Sequence, residues 1–90
     1  MGYKVLVTLD LQSATEKQRD IFYSVLEKEK WNKIPFLTTT WKISFKDGVM
    51  RDSTIITIKN DLNKAKIEST IKIVKYALQL DTEDVLIDNM

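Results

Sequence analysis

The chain has 90 residues, a formal net charge of +1, and neither cysteine nor histidine. Its length suits one domain, residues 1–90, in which a single sheet packs against one or two helices. The missing residue types exclude disulfides, thiolate metal sites and the commonest general base. Catalysis would therefore use carboxylates, lysine, arginine, tyrosine or hydroxyls, with a hard cation such as Mg²⁺ as the helper. Because no apolar run approaches the ~20 residues of a membrane span, we expect a cytoplasmic protein without a membrane partner.

The first predicted element is a strand over residues 3–11, which ends in a polar turn. Asp10 lies at the end of this strand. A carboxylate in that position is held by a rigid sheet and is open to solvent, which suits a metal ion or a phosphate-bound metal. The structural alternative is that Asp10 accepts hydrogen bonds from the backbone N–H groups that follow it. One carboxylate holds Mg²⁺ poorly, so a shared metal would need Asp10 from two copies related by a two-fold axis.

An amphipathic helix that reaches Lys30 is predicted next. Ser13 and Thr15 are both candidate N-caps, because Glu16 and Gln18 stand three residues further on. Their hydroxyls could instead orient a water or a phosphate, although capping is the simpler role. The apolar stripe of this helix consists of Ile21, Phe22, Val25 and Leu26.

Two further strands are predicted after Pro35, which ends any helical continuation. Residues 36–45 alternate with period two, and Trp41 lies on their apolar face, which indicates a place in the core or in a dimer interface. Residues 53–59 are rich in β-branched side chains and form the predicted third strand. A turn signal at residues 46–48 makes the two strands an antiparallel pair.

A second helix is predicted from Asn60 or Asp61, and residues 85–87 form a short closing strand. The apolar stripe predicted for this helix consists of Ile67, Ile71, Val74 and Leu78. The order β-α-β-β-α-β with right-handed crossovers predicts an α+β, ferredoxin-like sandwich, a four-stranded antiparallel sheet with two helices on one face. The other sheet face is uncovered and must be polar, covered by a partner, or ligand-binding.

RNA-recognition motifs use the same strand order and present aromatic residues for base stacking on their third strand. The predicted third strand, residues 53–59, contains no aromatic residue, which argues against this class. Tyr3 and Tyr23 could stack on bases, but a half-buried ring at the helix edge is the favoured interpretation of Tyr23.

Positively charged side chains offer candidate contacts to a phosphate backbone. Lys42, Lys46 and Arg51 gather around the predicted hairpin, where Asp47 and Asp52 offset them. The predicted second helix has an excess of lysines, which we attribute to solubility: Lys64, Lys66, Lys72 and Lys75.

A strand ending in residues 7–11, a helix reaching Trp31 and the segment Thr38–Trp41 together resemble the Cas2-like group of small ferredoxin-like proteins, nearest to its stand-alone SinR-type and GhoS-type branches. The resemblance implies a homodimer that contacts RNA or DNA. It also implies that Asp10 is the catalytic residue and metal ligand of a Mg²⁺-dependent endonuclease that cleaves RNA or DNA, with RNA favoured over DNA. Members of the group belong to toxin–antitoxin, CRISPR-related or phage-defence systems. The nucleic-acid contacts that we expect are Ser13, Arg19, Lys42 and Arg51.

Two features depart from the Cas2 pattern. The arginine-rich segment that often follows the aspartate is here residues 12–15, with Arg19 further on, and no additional strand is expected after the fourth. Both weaken the inference of nuclease activity more than that of the fold. The alternative function is a non-catalytic protein-interaction module, such as an antitoxin or phage regulator, that binds a protein partner through an apolar patch on the open sheet face. A small-metabolite domain is disfavoured, because the sequence has no glycine-rich loop or polar cluster for a ligand.

Overall fold

The computed structural model describes residues 2–35, 37 and 39–83. Within these ranges the elements are β1 (Lys4–Leu11), α1 (Glu16–Lys28), β2 (Asn32–Lys33), β3 (Thr40–Ser44), α2 (Arg51–Ser69) and β4 (Val74–Asp81). The strands pair antiparallel in the order β2-β3-β1-β4. The predicted ferredoxin-like arrangement is therefore confirmed, and β1 and β3 are its central strands.

The core lies between one face of the sheet and the two helices. Alternate residues of β1 are buried, and Trp41 and Ile43 extend the same face on β3. Burial of each such large apolar side chain contributes about 1.5–3 kcal/mol, which makes this layer the main source of stability. The helices complete the core cluster with Phe22, Val25 and Leu26 from α1 and Ile58, Leu62 and Ala65 from α2.

Helix α1 begins at a capping box, as its sequence predicts. The Thr15 hydroxyl accepts a hydrogen bond from the Gln18 backbone N–H at 3.1 Å, and Gln18 Oε1 accepts one from the Thr15 N–H at 2.9 Å. Of the two predicted candidates, Thr15 is therefore the N-cap, and Ser13 lies in the preceding loop with φ of 56°. The helix ends at Lys28 rather than at the predicted Lys30.

The segment predicted as the third strand is helical, so that prediction was wrong. Residues 53–59 lie in α2, whose buried positions recur with helical spacing: Thr54, Ile58, Leu62, Ala65 and Ser69. The two hydroxyls in this stripe are buried without an unpaired donor, because Thr54 Oγ1 donates to the Met50 carbonyl at 3.0 Å and Ser69 Oγ to the Lys66 carbonyl at 3.2 Å. Burial on this stripe overrides the strand propensity of the β-branched residues.

The bounds of the second helix and of the second predicted strand also differ from the structure. Helix α2 begins at Arg51 and ends at Ser69, where Thr70 adopts a left-handed φ of 61°, so Val74 and Leu78 belong to β4. Strand β3 covers only residues 40–44 of the predicted 36–45. The fourth strand in the structure is β4, which ends at Asp81, so the expectation of no further strand concerns residues 84–90, outside the described residues. The predicted closing strand, residues 85–87, lies outside the described residues.

Polar contacts join α1 and its C-terminal loop to α2. The indole N–H of Trp31 donates to Asp61 Oδ2 at 2.9 Å, and Lys64 Nζ lies 2.9 Å from Glu29 Oε1. Burial raises the pKa of Asp61, with the Trp31 hydrogen bond acting in the opposite direction, and the hydrogen bond to Glu29 raises the pKa of Lys64. Trp31 is buried beside the two helices, at the edge of the core. Neither helix in the described ranges combines the length and apolarity needed to cross a membrane.

Candidate nucleic-acid interface

The side of the sheet that the helices leave uncovered, called here the open face, is polar. Strand register sets its residues in rows, with Leu6 between Lys42 and Gln79 and the next row centred on Thr8. Leu6 is the large apolar residue on this face in the described part of the chain, so the apolar patch expected for a protein-binding module is not found there. The open face comprises Lys4, Leu6, Thr8, Asp10, Asn32, Thr40, Lys42, Ser44, Lys75, Ala77, Gln79 and Asp81.

Asp10 is exposed at the end of β1, as predicted, and lies directly across from Lys75 of β4. Side chains that face each other in an antiparallel pair have Cβ atoms about 4.5–5.5 Å apart, so the stem of the lysine begins beside the side chain of Asp10. Mg²⁺ prefers six oxygen ligands and usually more than one protein ligand or a phosphate. No group of three or more acidic side chains that could hold a metal occurs within the described ranges. Within one protomer, Asp10 and its neighbours do not fit a resident Mg²⁺ site.

A shallow depression of about 150 Å³ lies at the other end of the open face. Lys4 and Lys42 line it together with Ser44, Gln79, Asp81 and Glu83, so two carboxylates offset the two ammonium groups. Lys4 faces Asp81 across the β1–β4 pair, and Lys42 makes a further interaction within the molecule. Two ammonium groups beside a hydroxyl and an amide provide donors of the kind that contact phosphate oxygens.

Ser13 lies in a loop beyond the end of β1, beside a cavity between the β1–α1 and α2–β4 loops. Gln18 Nε2 donates to Thr70 Oγ1 at 3.2 Å and so joins these two loops. The cavity has a volume of about 330 Å³ and is lined by residues 12–14, 18 and 70–73. Ser13 therefore belongs to a loop cavity at the same end of the sheet as Asp10, while the open face is formed by the strands.

The predicted site residues do not form one cluster. Arg19 is exposed near the start of α1, in the helical layer. Lys42 faces Leu6, which lies four residues before Asp10 along β1, so about 13 Å of strand separates the two rows. Arg51 begins α2 beyond the end of β3 and lies at the opposite end of the sheet from Asp10. Asp10 and Ser13 share one end of the sheet with the start of α1, whereas Arg51 lies at the other end.

Trp41 was predicted to lie in the core or in a dimer interface, and its place in the core is confirmed. Its side chain is fully buried on the helix-facing side, and its Nε1 has no hydrogen-bond partner among the described residues. The Tyr23 ring lies 5.5 Å from the Trp41 ring, with Lys33 Nζ 5.7 Å from the Tyr23 centroid. Burial raises the pKa of Tyr23, while the nearby Arg19 charge acts in the opposite direction. Tyr23 is thus the half-buried ring at the helix edge that the sequence predicts.

The residues of the central strands, rather than residues 53–59, exclude an RNA-recognition motif. Residues 53–59 are helical, so their lack of aromatic residues has no bearing on the motif. The central strands β1 and β3 do bear on it, and in the described part of the chain they present no aromatic side chain to the open face. The stacking platform of that motif is therefore missing.

Sequence reasoning missed Lys75 as a neighbour of Asp10, because it placed this lysine on a helix. The available signal was the alternation of residues 74–81 between apolar and polar side chains, interrupted by Ala77, which is typical of a strand with one face buried. The apolar positions of this alternation are Val74, Tyr76, Leu78 and Leu80.

Comparison with known proteins supports the fold alone. No family model and no curated protein matches the sequence. Among solved structures, protein SP2199 from Streptococcus pneumoniae is similar, with a TM-score of 0.57 and 12% sequence identity over 94% of this chain and 90% of that chain. Similarity at this level of identity extends to the chain path and carries no information on activity.

Proposed function

We propose that this chain is a cytoplasmic, homodimeric protein of Cas2-like type that contacts RNA through its open face, in a toxin–antitoxin, CRISPR-related or phage-defence setting. The observation that supports this best is the chemistry of that face, where lysines from three different strands stand among hydroxyl and amide side chains. A partner protein would instead be expected to need an apolar patch.

The proposed contact is with the sugar–phosphate backbone. Lys4, Lys42 and Lys75 supply cations that replace condensed counterions, and Thr8 and Ser44 supply hydroxyls for phosphate oxygens. Because the open face lacks aromatic residues in the described ranges, base stacking contributes nothing to this contact there, and we expect little preference for sequence. Asp10 and Asp81 weaken the positive charge of the face, so we expect modest affinity that falls steeply with salt.

Cleavage is a separate part of the proposal. The resemblance predicts Mg²⁺-dependent cleavage at Asp10, whereas the poor fit of one carboxylate beside Lys75 to a metal site favours binding without cleavage. A metal would need oxygen ligands from a second copy or from the bound phosphate. We therefore propose RNA binding as the main function. A cleavage assay measures whether the protein also cuts the RNA that it binds.

The test measures binding and cleavage of labelled single-stranded RNA and double-stranded DNA in the presence of Mg²⁺. We expect Lys75→Ala to weaken RNA binding relative to the wild type. We also expect it to reduce the slope of log K against log salt concentration by about one, as for the loss of one phosphate contact. Lys59→Ala is the matched control, since Lys59 is an exposed lysine on α2, away from the open face. Equal losses in both variants would contradict binding at the open face.

Asp10→Ala separates binding from catalysis in the same assay. Loss of cleavage with RNA binding retained would make Asp10 a catalytic residue. Equal cleavage by both proteins would point to a contaminating nuclease. If neither RNA nor DNA binds, the proposal is wrong, and the alternative of an antitoxin or phage regulator that binds a protein partner takes its place.

A further inference from the structure

The outer edge of β4 presents a continuous row of backbone hydrogen-bonding groups. The Leu9 N–H donates to the Thr39 carbonyl and the Phe45 N–H to the Tyr3 carbonyl, each at 2.9 Å, so the odd-numbered residues of β1 direct their backbone groups toward β3. The even-numbered residues of β1 then face β4, where register pairs them with residues 75, 77, 79 and 81. The backbone N–H and C=O groups that point outward from β4 therefore belong to Val74, Tyr76, Leu78 and Leu80.

Within the described residues, this edge lacks the usual protection against pairing with another chain. Strand β4 keeps eight residues in unbroken register with β1, without proline or bulge, and no strand of the described part of the chain pairs with its outer side. Native edge strands are normally short, bulged, charged or covered. The charged residues of β4, Lys75 and Asp81, stand near its two ends and leave an uncharged centre over residues 76–80. Tyr76 is 41% exposed on the helix-facing side.

We propose that two copies of the chain pair through β4, antiparallel, about a two-fold axis that passes through Leu78. This inference rests on the homodimer in the proposed function and names its interface. Pairing of this kind joins the two sheets into one continuous sheet and satisfies the outward-pointing backbone groups of both copies.

Charge and apolar complementarity select this register. The outward-pointing backbone groups of one β4 strand must form hydrogen bonds with those of the other β4 strand. The two-fold axis must therefore pass through a residue and not between two residues. With Leu78 on the axis, Lys75 of each copy faces Asp81 of the other, and Tyr76 faces Leu80. An axis at Ala77 would put Lys75 opposite Gln79. An axis at Gln79 would put Asp81 opposite Ala77 and Tyr76 opposite Thr82, beyond the strand.

Cysteine cross-linking tests this register, because the chain has no cysteine of its own. In the proposed pair, residue 77 of one copy faces residue 79 of the other at a non-hydrogen-bonded position with Cα atoms about 4.5 Å apart, within reach of a disulfide. The double variant Ala77→Cys/Gln79→Cys should therefore run, after oxidation, at twice the 10.5 kDa of the single chain on a non-reducing gel. Both positions are exposed, so the substitutions should leave the fold intact.

The single variants are the matched controls. In the proposed register, residue 77 of one copy lies diagonally across from residue 77 of the other copy, and the same holds for residue 79. Each of these distances is about 7–8 Å, which is too far for a disulfide. Efficient cross-linking of Ala77→Cys or Gln79→Cys alone would overturn the register by showing an axis at that residue. Should the double variant misfold by circular dichroism, Leu78→Cys replaces it, because residue 78 faces itself across the axis.

Sedimentation equilibrium of the wild type completes the test. A folded double variant that stays uncross-linked overturns the inference, whether the wild type is a monomer or a dimer formed elsewhere. The RNA-binding part of the proposed function is read separately. A protein that binds RNA but does not cross-link overturns only the β4 interface, and a cross-linked dimer that binds neither RNA nor DNA overturns only the function.

Discussion

Two roles compete for the carboxylate of Asp10. One is ligation of a metal at the end of a rigid strand, and the other is a cross-strand interaction with Lys75 on the neighbouring strand. The position of Asp10 at a strand end could be predicted from the alternation of β1 alone. Its charged neighbour could not, because Lys75 stands 65 positions away and is brought close only by the pairing of β1 with β4.

A double-mutant cycle measures the second role. We expect Asp10→Asn and Lys75→Met to show a coupling free energy of about 0.2–1 kcal/mol in urea unfolding, because opposite charges face each other at an exposed position. The coupling should shrink in 1 M salt, where the Debye length is about 3 Å. A coupling of zero at low salt would mean that the carboxylate of Asp10 is not held by Lys75, which would strengthen the case for a metal or nucleic-acid role.

Asp61 makes stability depend on pH in the sense opposite to ordinary acid denaturation. Burial raises the pKa of its carboxyl above 3.8, so the folded protein keeps this proton to a higher pH than the unfolded chain does. The stability that the proton confers is complete below the unfolded pKa and is lost as the pH rises through the folded pKa. Asp61→Asn, which keeps an acceptor for the Trp31 indole, should therefore gain stability relative to the wild type between pH 3.5 and pH 7.

Urea unfolding of both proteins at several pH values measures this difference. Lys64→Met in the same series is a useful control, since Lys64 lowers the pKa of Asp61 and its removal should enlarge the effect. A relative loss of stability for Asp61→Asn toward neutral pH would mean that Trp31 and Lys64 outweigh burial and stabilise the charged form.

At the scale of elements, helix α1 was predictable and α2 was not. The α1 segment carries a capping box and three buried residues at helical spacing, so local and tertiary signals agree. In α2 the buried stripe begins and ends with hydroxyl residues, Thr54 and Ser69, while Ile56 is 58% exposed. The many β-branched residues of the segment 53–59 therefore outweigh this weak helical pattern and predict a strand.

Strand β4 was missed for a related reason. Val74 and Leu78 are spaced by four residues, so they extend an apparent helical stripe from Ile67 while also belonging to a period-two alternation. Short apolar runs fit both periods, and tertiary pairing with β1 decides between them. The choice between strand and helix at this point also decided where Lys75 was placed.

The helical state of residues 53–59 predicts unequal costs for two neighbouring isoleucines. Ile58→Ala should destabilise the protein by about 2–5 kcal/mol, because its side chain is fully buried. Ile56→Ala, on the exposed side of α2, should change stability by less than about 0.5 kcal/mol. In a strand the two residues would share a face and have similar costs. Chemical unfolding followed by circular dichroism measures both, and equal losses would contradict the helix.

For the whole molecule, the fold class was predictable although residues were partly assigned to the wrong elements: residues 53–59 are helical, and β2 and β4 lie in segments for which no strand was predicted. Strands and helices that alternate in this way have few ways to bury their apolar faces, so the architecture depends on the number and type of elements more than on their limits. The residues of the open face were less predictable than the fold. Which residues lie on that face depends on which segments form β3 and β4, and therefore on the element boundaries.

A β4-paired dimer predicts that stability depends on protein concentration. If folding and association are coupled, the midpoint of thermal unfolding should rise as the concentration is increased a hundredfold, by mass action. The variant Tyr76→Ala/Leu80→Ala, which removes the proposed apolar cross-strand pair, should reduce this rise. A midpoint that stays constant across the concentration series would indicate a monomer throughout.

The charge pairs between β1 and β4 also bear on how the chain avoids misfolding. Lys4 faces Asp81 at one end of the pair, and Asp10 faces Lys75 at the other. A slip of two residues would keep every apolar side chain on the helix side, so hydrophobic burial discriminates poorly against it. Such a slip in either direction separates Asp10 from Lys75. Removing this pair should therefore make non-native strand alignments more populated during refolding, even where the stability of the native state scarcely changes.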